Sequence, residues 1–593
     1  MTDTVNEAPL PYRDASLPID ERVEDLLGRM ELADKVGMLF HTMAAYADLD
    51  EGNPTFGLPS ISSMVRKRRM SHFNLLGAAP GGREFAAWHN ALQRMALDTP
   101  LGIPITLSTD PRHSFSDNPL TSLMAGPFSQ WPETLGFAAL ASPERLERFA
   151  DIARQEYLAV GLRVALHPQI DLATEPRWSR IAGTFGEDAD LTSRLVVGYI
   201  RGFQGSELGP DSVATMVKHF PGGGPQLDGE DPHFEWGKEQ VYPGGQQEYH
   251  LRPFIAAIGA GATQMMPYYG QPVGTDWEEV GFGFNKGVLT DLLRDRLGFD
   301  GIVCTDWGLL TDVVVFGADM PARAWGVEEL TRPQRIVKAL DAGIDQFGGE
   351  LCTDELRGLV ERGEVSEARL DVSVRRLLRE KFRLGLFENP FVDEEAAESL
   401  VGRADFVAEG LDAQSDSLTL LTNGAVDGGS PILPLARGVK VYAEGVAADA
   451  LAAYATVVES PEDADVAILR IKAPFEDRDR GGFSDLFHSG SLEFPAEEHA
   501  RLTAIAETVP TVIDIYLDRP AVLGGLEEAA RAVLADYGAS DAAVLRVLFG
   551  ERGPQGSLPF DLPRSDAAVV ASRSDVAFDT ENPTFRFGHG LRY

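Results

Sequence analysis

The amino-acid sequence predicts an α/β protein, a (β/α)8 TIM-like barrel followed by an α/β sandwich domain. Three observations carry that expectation. From about residue 20 to 385, short apolar runs alternate with helical patterns, as in a parallel sheet wrapped by helices. Polar or reactive side chains recur where those runs end, at Asp110, His167, Lys218 and His219, Tyr268 and Tyr269, and Asp306; in a barrel that rim is where active sites are assembled. After about residue 410 the alternation restarts with too few units for a second barrel.

The opening helical pattern is VEDLLGRMELADKVGML (23–39). The runs IPITLS (103–108), RVALHP (163–168), VATMVKHF (213–220), TQMMPY (263–268), GIVCTD (301–306) and GIDQFG (343–348) are expected as strands. Between them lie helical patterns over 143–160, near 191–203, and over 246–260, 286–297 and 332–341. SEARLDVSVRRLLREKFRLGL (366–386) closes this first unit as a helix. The expected division is a barrel domain at 1–390, a linker at 391–410 and a sandwich domain at 411–593. Strand-like LTLLTNG, GVKVYAEG, DVAILRI, TVIDIYL and AVLADYG build the last, with helices near 495–507 and 540–549.

A chain of 593 residues is too long for one core, and 44% hydrophobic with 24% charged residues is ordinary for a soluble protein. The formal charge of -38 repels phosphate backbones and anionic lipid, so no nucleic-acid or membrane partner is expected. Only Cys304 and Cys352 occur, without a CxxC pair, so no structural zinc site or disulfide framework is expected; no cofactor is expected either. MTDTVNEAPLPYRDASLPID has no basic start and no apolar core, which gives the cytoplasm as the expected compartment. The oligomeric state stays open, a homodimer included.

Asp306 ends the buried-looking strand of GFDGIVCTDWG (298–308). Such a carboxylate is costly to desolvate; it either caps the next turn or does chemistry. The adjacent Trp307 moves the balance, because a carboxylate at the anomeric carbon beside an indole covering C–H groups suits a sugar ring. Lys218 and His219 in KHFPGGG offer fixed donors for vicinal hydroxyls, and the glycines match neither GxxxxGK[ST] nor GxGxxG. Arg177 and Arg180 flank Trp178 in ATEPRWSRIAGTFGEDADL, where an arginine could orient a ligand. QLDGEDPHFEWG, with Asp228, Glu230, Asp231 and His233, reads as a solvated acidic loop that lacks EF-hand spacing. APFEDRDRGGF (473–483) reads as a charged turn. Neither GxSxG nor HExxH occurs.

Taken together, RMELADKVGML, PRWSRIAGTFGED, VKHFPGGG, MMPYYG, GFDGIVCTDWG, SVRRLLREKFRLGLFENPF, LFGERGPQGSLPFDLP and FRFGHGL resemble, in order, the motifs of glycoside hydrolase family three. Ser179 stands where that family usually has glycine. The resemblance implies a retaining, exo-acting β-glycosidase, foremost a β-glucosidase, with its site in the groove between the domains. It implies Asp306 as nucleophile and hydroxyl contacts from Asp110, Arg180, Lys218, His219 and Tyr269, with Trp307 as a platform and Arg177 as structural. It places the acid/base on a second-domain loop, matched to Glu476, with Asp477 and Asp479 as rivals. For that role Glu476 is expected to have a raised pKa, with Arg478 and Arg480 pointing away. Asp231-Pro232-His233 is similar to the Asp-His acid/base of the family's hexosaminidases, which gives a β-N-acetylhexosaminidase as the alternative. Its spacing after KHF is two residues longer than usual, and GGG replaces GHG. No metal is implied. Trp131, Trp236 and Trp325 are candidate aglycone platforms, and glucose is not separated from xylose.

Overall fold

The computed structural model describes residues 10–116, 125–315, 318–425, 429–478 and 480–593. Eight parallel strands form its first sheet: β1 (Phe40–Ala45), β2 (His72–Leu76), β3 (Thr106–Thr109), β4 (Leu162–Ala165), β5 (Ala214–Phe220), β6 (Gln264–Pro267), β7 (Ile302–Val303) and β8 (Phe347–Gly348). Their order is β8-β1-β2-β3-β4-β5-β6-β7. A parallel bridge from Cys304 to Gln346 joins the last strand to the first and closes the barrel.

A helix follows each strand, as the crossover of a parallel sheet requires. Their starts are written in the sequence. Ser142 accepts from the Arg145 amide ahead of Pro143–Ala159, and Asp188 caps Ala189–Gln204 through the Leu191 amide at 2.6 Å. Thr331 and Gln334 make a capping box for Arg332–Ala342, and Gly343, at φ 118°, ends it. The pattern at 23–39 is broken into Ile19–Leu27 and Leu32–Met38. The closing helix Glu367–Arg383 sends Lys381 under the barrel, where its ammonium donates to Ser71 O, Pro104 O and Thr106 Oγ1 at 3.0, 2.9 and 2.7 Å.

Strands β1 and β2 lie outside the runs picked from the sequence. In β2, HFNLL, His72 and Asn74 are buried although polar, so the alternation that marks a strand against one apolar core is absent. The walls of a barrel interior, unlike a sandwich core, accept polar side chains that find partners.

The second sheet contains β9 (Thr419–Asn423), β10 (Lys440–Glu444), β11 (Thr456–Val457), β12 (Val466–Lys472), β13 (Thr511–Tyr516) and β14 (Ala532–Asp536). The order is β9-β14-β13-β12-β10-β11, with only β9 antiparallel to its neighbour. Residues 391–410 carry the helix Glu394–Leu400 and the start of Ala404–Ser417.

The domains are joined through the FGED loop after β4. Gly186 lies so close to Pro559 that a Cβ there would stand 2.1 Å from its carbonyl oxygen. Buried Glu187 accepts the Asp561 and Phe578 amides, each at 2.7 Å. Burial pushes its carboxyl from 4.5 up to about 8, against those two donors. A group raised in this way stabilises the fold fully below pH 4.5, and the contribution is lost as the pH rises through about 8. Glu187→Gln is therefore expected to flatten the fall in melting temperature between pH 5 and 8; a profile parallel to the parent's would refute this.

Candidate active site

The C-terminal rim of the barrel opens into a cavity of about 170 Å³ that gathers residues from most of the strands, among them Asp110, Arg180, Lys218, His219, His233, Tyr269, Asp306 and Trp307. The structure thus brings the expected hydroxyl contacts Asp110, Arg180, Lys218, His219 and Tyr269 together with Asp306 and Trp307, and leaves Arg177 and Asp231 outside this cavity. No helix begins at Asp306. Its Oδ1 accepts the Trp307 amide at 2.8 Å. Its buried Oδ2 has no hydrogen-bond partner among the described residues, and His219 Nε2 stands 3.7 Å away.

Burial raises the Asp306 pKa, but the surrounding His219, His233, Arg180 and Lys218 outweigh it and hold the carboxyl below its ordinary range. Burial, followed by the Arg180 charge, keeps His219 far below its usual pKa and hence neutral. The lasting positive charge beside Asp306 therefore comes from Arg180 and Lys218. Asp171 Oδ2 accepts a hydrogen bond from His219 Nδ1–H at 2.8 Å, which keeps the ring proton on that nitrogen and turns a bare Nε2 toward the cavity. Lys218 Nζ donates to Asp110 Oδ1 at 2.8 Å. Tyr269 donates to the Trp307 carbonyl at 2.5 Å. Arg180 lies 5.7 Å from the Tyr268 ring centroid, and its Nη1 is unpartnered among the described residues.

The indole of Trp307 is seated by two glycines at the end of β8. A Cβ on Gly348 or Gly349 would stand 2.7 Å from ring atoms, and Gly349 also has φ +71°. The His41 ring packs edge-on against the indole with centroids 5.4 Å apart.

The acidic loop is not solvated as the sequence suggested. Asp228 is exposed, but Asp231 is buried and accepts from Trp178 Nε1 at 3.0 Å and Tyr268 Oη at 2.9 Å. Its other oxygen is 2.6 Å from His233 Nδ1, and the His233 ring lies against Tyr269 and Phe487. Arg177 pairs with Glu175 at 2.8 Å.

Glu476 lies outside the Asp306 cavity. It lines a neighbouring cleft of about 260 Å³ with Ser179, Glu230, Asp231, Phe234, Trp236 and Phe487. The expected orientation of the arginines is corrected here: Arg478 donates to Glu476 Oε2 at 2.8 Å and also contacts Glu230. That bond outweighs burial and lowers the Glu476 pKa instead of raising it. Arg480 turns to Glu230 and lies over the Trp236 ring. Asp477 lines the same cleft, and Asp479 lies outside the described residues. Trp236, 49% exposed, stacks parallel to Phe234 at this mouth, whereas Trp131 and Trp325 are buried. Among the described residues no group of three His, Cys, Asp or Glu side chains is arranged to hold a metal ion.

Sequence reasoning missed Asn74 and Arg323, which also line the Asp306 cavity; neither sits at the end of an expected strand. It missed Phe487 as well, because only tertiary structure carries a second-domain aromatic to His233.

The glycosyl hydrolase family 3 N-terminal domain model matches residues 82–380, and the C-terminal domain model matches 311–593. The chain belongs to glycosyl hydrolase family 3. Within that family it is 55% identical to a β-glucosidase C of Emericella nidulans over 98% of this chain and 94% of the relative. It is 41% identical to a periplasmic β-glucosidase/β-xylosidase of Dickeya chrysanthemi, over 98% and 91%. A solved β-glucosidase from Erythrobacter marinus shares the fold with a TM-score of 0.81 at 22% identity, covering 99% of this chain and 84% of that one.

In this family member buried Arg519 pins the chain at Pro474 and again at 489–491. Its guanidinium donates to the Pro474, Ser489, Gly490 and Ser491 carbonyls, and across the domain boundary to Arg177 O at 3.1 Å. Arg519→Met leaves these acceptors short of a donor and is expected to destabilise the protein by about 3 kcal/mol. It should also speed proteolytic cleavage within 474–490; unchanged cleavage and an unchanged urea midpoint would refute the pin.

Proposed function

We propose that the protein is a retaining, exo-acting β-glucosidase that releases terminal β-D-glucose by way of a covalent glycosyl-enzyme intermediate on Asp306. The observation that carries this is the ionised Asp306, whose buried Oδ2 has no hydrogen-bond partner among the described residues and faces a rim of hydroxyl-binding side chains. The relatives named β-glucosidase at 54% and 55% identity supply the sugar. The β-N-acetylhexosaminidase alternative is set aside on those relatives.

In the first step Asp306 Oδ2 forms a bond to the anomeric carbon, and the C1–O bond breaks with its electron pair passing to the leaving oxygen. Glu476 gives that oxygen a proton. In the second step Glu476, now a carboxylate, takes a proton from water as the water oxygen bonds to C1, which frees glucose and restores Asp306. Lys218, His219, Asp110, Arg180 and Tyr269 orient the sugar, and Trp307 covers its apolar face. Glu476 is ionised while Arg478 holds it. An aglycone filling the cleft excludes water and raises the cost of that charge. Arg478 can then rest on Glu230, its other partner, so releasing Glu476 does not strand a guanidinium.

Asp306→Asn is expected to lower kcat on aryl glucosides by about 10³-fold or more. Trapping with a 2-deoxy-2-fluoro glucoside should label the peptide 298–308; a label elsewhere overturns the reading. Because its cationic neighbours hold Asp306 below the ordinary carboxylate range, the acidic limb of kcat/KM should lie below that range, and a limb above it would contradict the electrostatics. Glu476→Gln should spare nitrophenyl glucosides, whose leaving group needs little proton, and cripple alkyl glucosides. If both substrates suffer equally, or if a His233 variant shows that pattern instead, Glu476 is not the donor.

A further inference from the structure

One buried polar atom at the far end of the cavity has no role in the mechanism above. Asn74 points inward from β2, is 3% exposed, and its side-chain Oδ1 has no hydrogen-bond partner among the described residues. Its Nδ2 donates to Asp110 Oδ2 at 3.4 Å. Since a carboxylate oxygen only accepts, this contact fixes the amide's orientation and leaves Oδ1 as the free end. An unsatisfied carbonyl buried in this way is costly and calls for a donor from outside the protein.

The polar groups run in a row from the nucleophile. Asp306 Oδ2 lies 3.7 Å from His219 Nε2; Lys218, the next residue back along β5, reaches Asp110 at 2.8 Å, and Asp110 reaches Asn74. A sugar with C1 at Asp306 therefore presents to Asn74 its far edge, the C4 hydroxyl and the C6 hydroxymethyl group. The walls beside Asn74 are apolar. Met43 is its register partner on β1, and Leu76 is two residues along β2 on the same face, both lining the cavity. An acceptor set between apolar walls suits a hydroxymethyl group, with the methylene on Met43 and Leu76 and the hydroxyl donating to the amide.

Resting on the β-glucosidase reading, we propose that Asn74 accepts a hydrogen bond from the C6 hydroxyl and so selects a hexopyranose over a pentopyranose. It is a specificity-determining residue, distinct from the groups that make and break bonds.

The test uses the full chain with the nitrophenyl β-glycosides of glucose, 6-deoxyglucose, 4-deoxyglucose and xylose. Asn74→Leu, of similar shape without the acceptor, and Asn74→Ala should each lower kcat/KM on the glucoside by about 10-fold or more. On the xyloside and the 6-deoxyglucoside they should stay within about 3-fold, retained activity there also reporting an intact fold. Equal loss on all four substrates would show that Asn74 only orients Asp110, and no loss on the glucoside would leave it without a role; either overturns the proposal. So does a penalty that vanishes on the 4-deoxyglucoside instead. Should both variants fail to fold, the parent alone decides, since it must favour the glucoside over the 6-deoxyglucoside by about 10-fold. A parent that cleaves these two equally sinks only the Asn74 assignment, whereas one that cleaves none of the four sinks the β-glucosidase reading with it.

Discussion

A carboxylate kept ionised inside a barrel is the constraint on which the rest of this structure turns. Removing Asp306 from water favours its neutral form, and a neutral acid could not act as the nucleophile proposed for it. The protein counters with Arg180 and Lys218, and among the described residues no hydrogen bond reaches Oδ2. Hydrogen bonds would hold the charge equally well but would occupy the lone pairs that chemistry needs. Cations at a distance stabilise the charge and leave the oxygen bare. His219 fits the same plan, because Asp171 fixes its proton on the far nitrogen and burial keeps the ring neutral.

The second domain completes this arrangement by covering the barrel mouth. Glu187 ties it to the loop after β4, and Arg519 holds the 474–490 segment against the Arg177 loop. Both ties use a buried polar side chain on backbone groups of the other domain. Such contacts fix one relative position, since sliding either surface by a residue would strand several buried donors or acceptors at once. The Phe487 ring against His233 and the Trp236–Phe234 stack then shape an entrance built from both domains.

Much of this was legible in the sequence where a residue type contradicts its surroundings. Asp306 after an apolar strand, and Lys218 with His219 after another, stand out because such groups are costly to bury without purpose. The two-domain plan was visible for a similar reason, as the alternation stops and restarts around residue 410. Strands β1 and β2 were not, because His41, His72 and Asn74 face the barrel interior and blur the apolar run. The acidic loop misled in the opposite sense: Asp231 looks solvated in sequence, yet Trp178, Tyr268 and His233 enclose it. Whether Arg478 would point toward or away from Glu476 could not be read either, since Glu230, the residue that shares it, lies far away in the chain.

The glycine pair behind Trp307 has one further consequence. With no side chains at 348 and 349, the indole rests on bare backbone and can lie back from the sugar. A methyl at 349 would press on the ring in a backbone conformation that already disfavours it, whereas one at 348 would first meet the Thr305 carbonyl oxygen at 2.3 Å. The depth of the chamber is thus set by what the backbone leaves out at this corner and not by what a side chain adds.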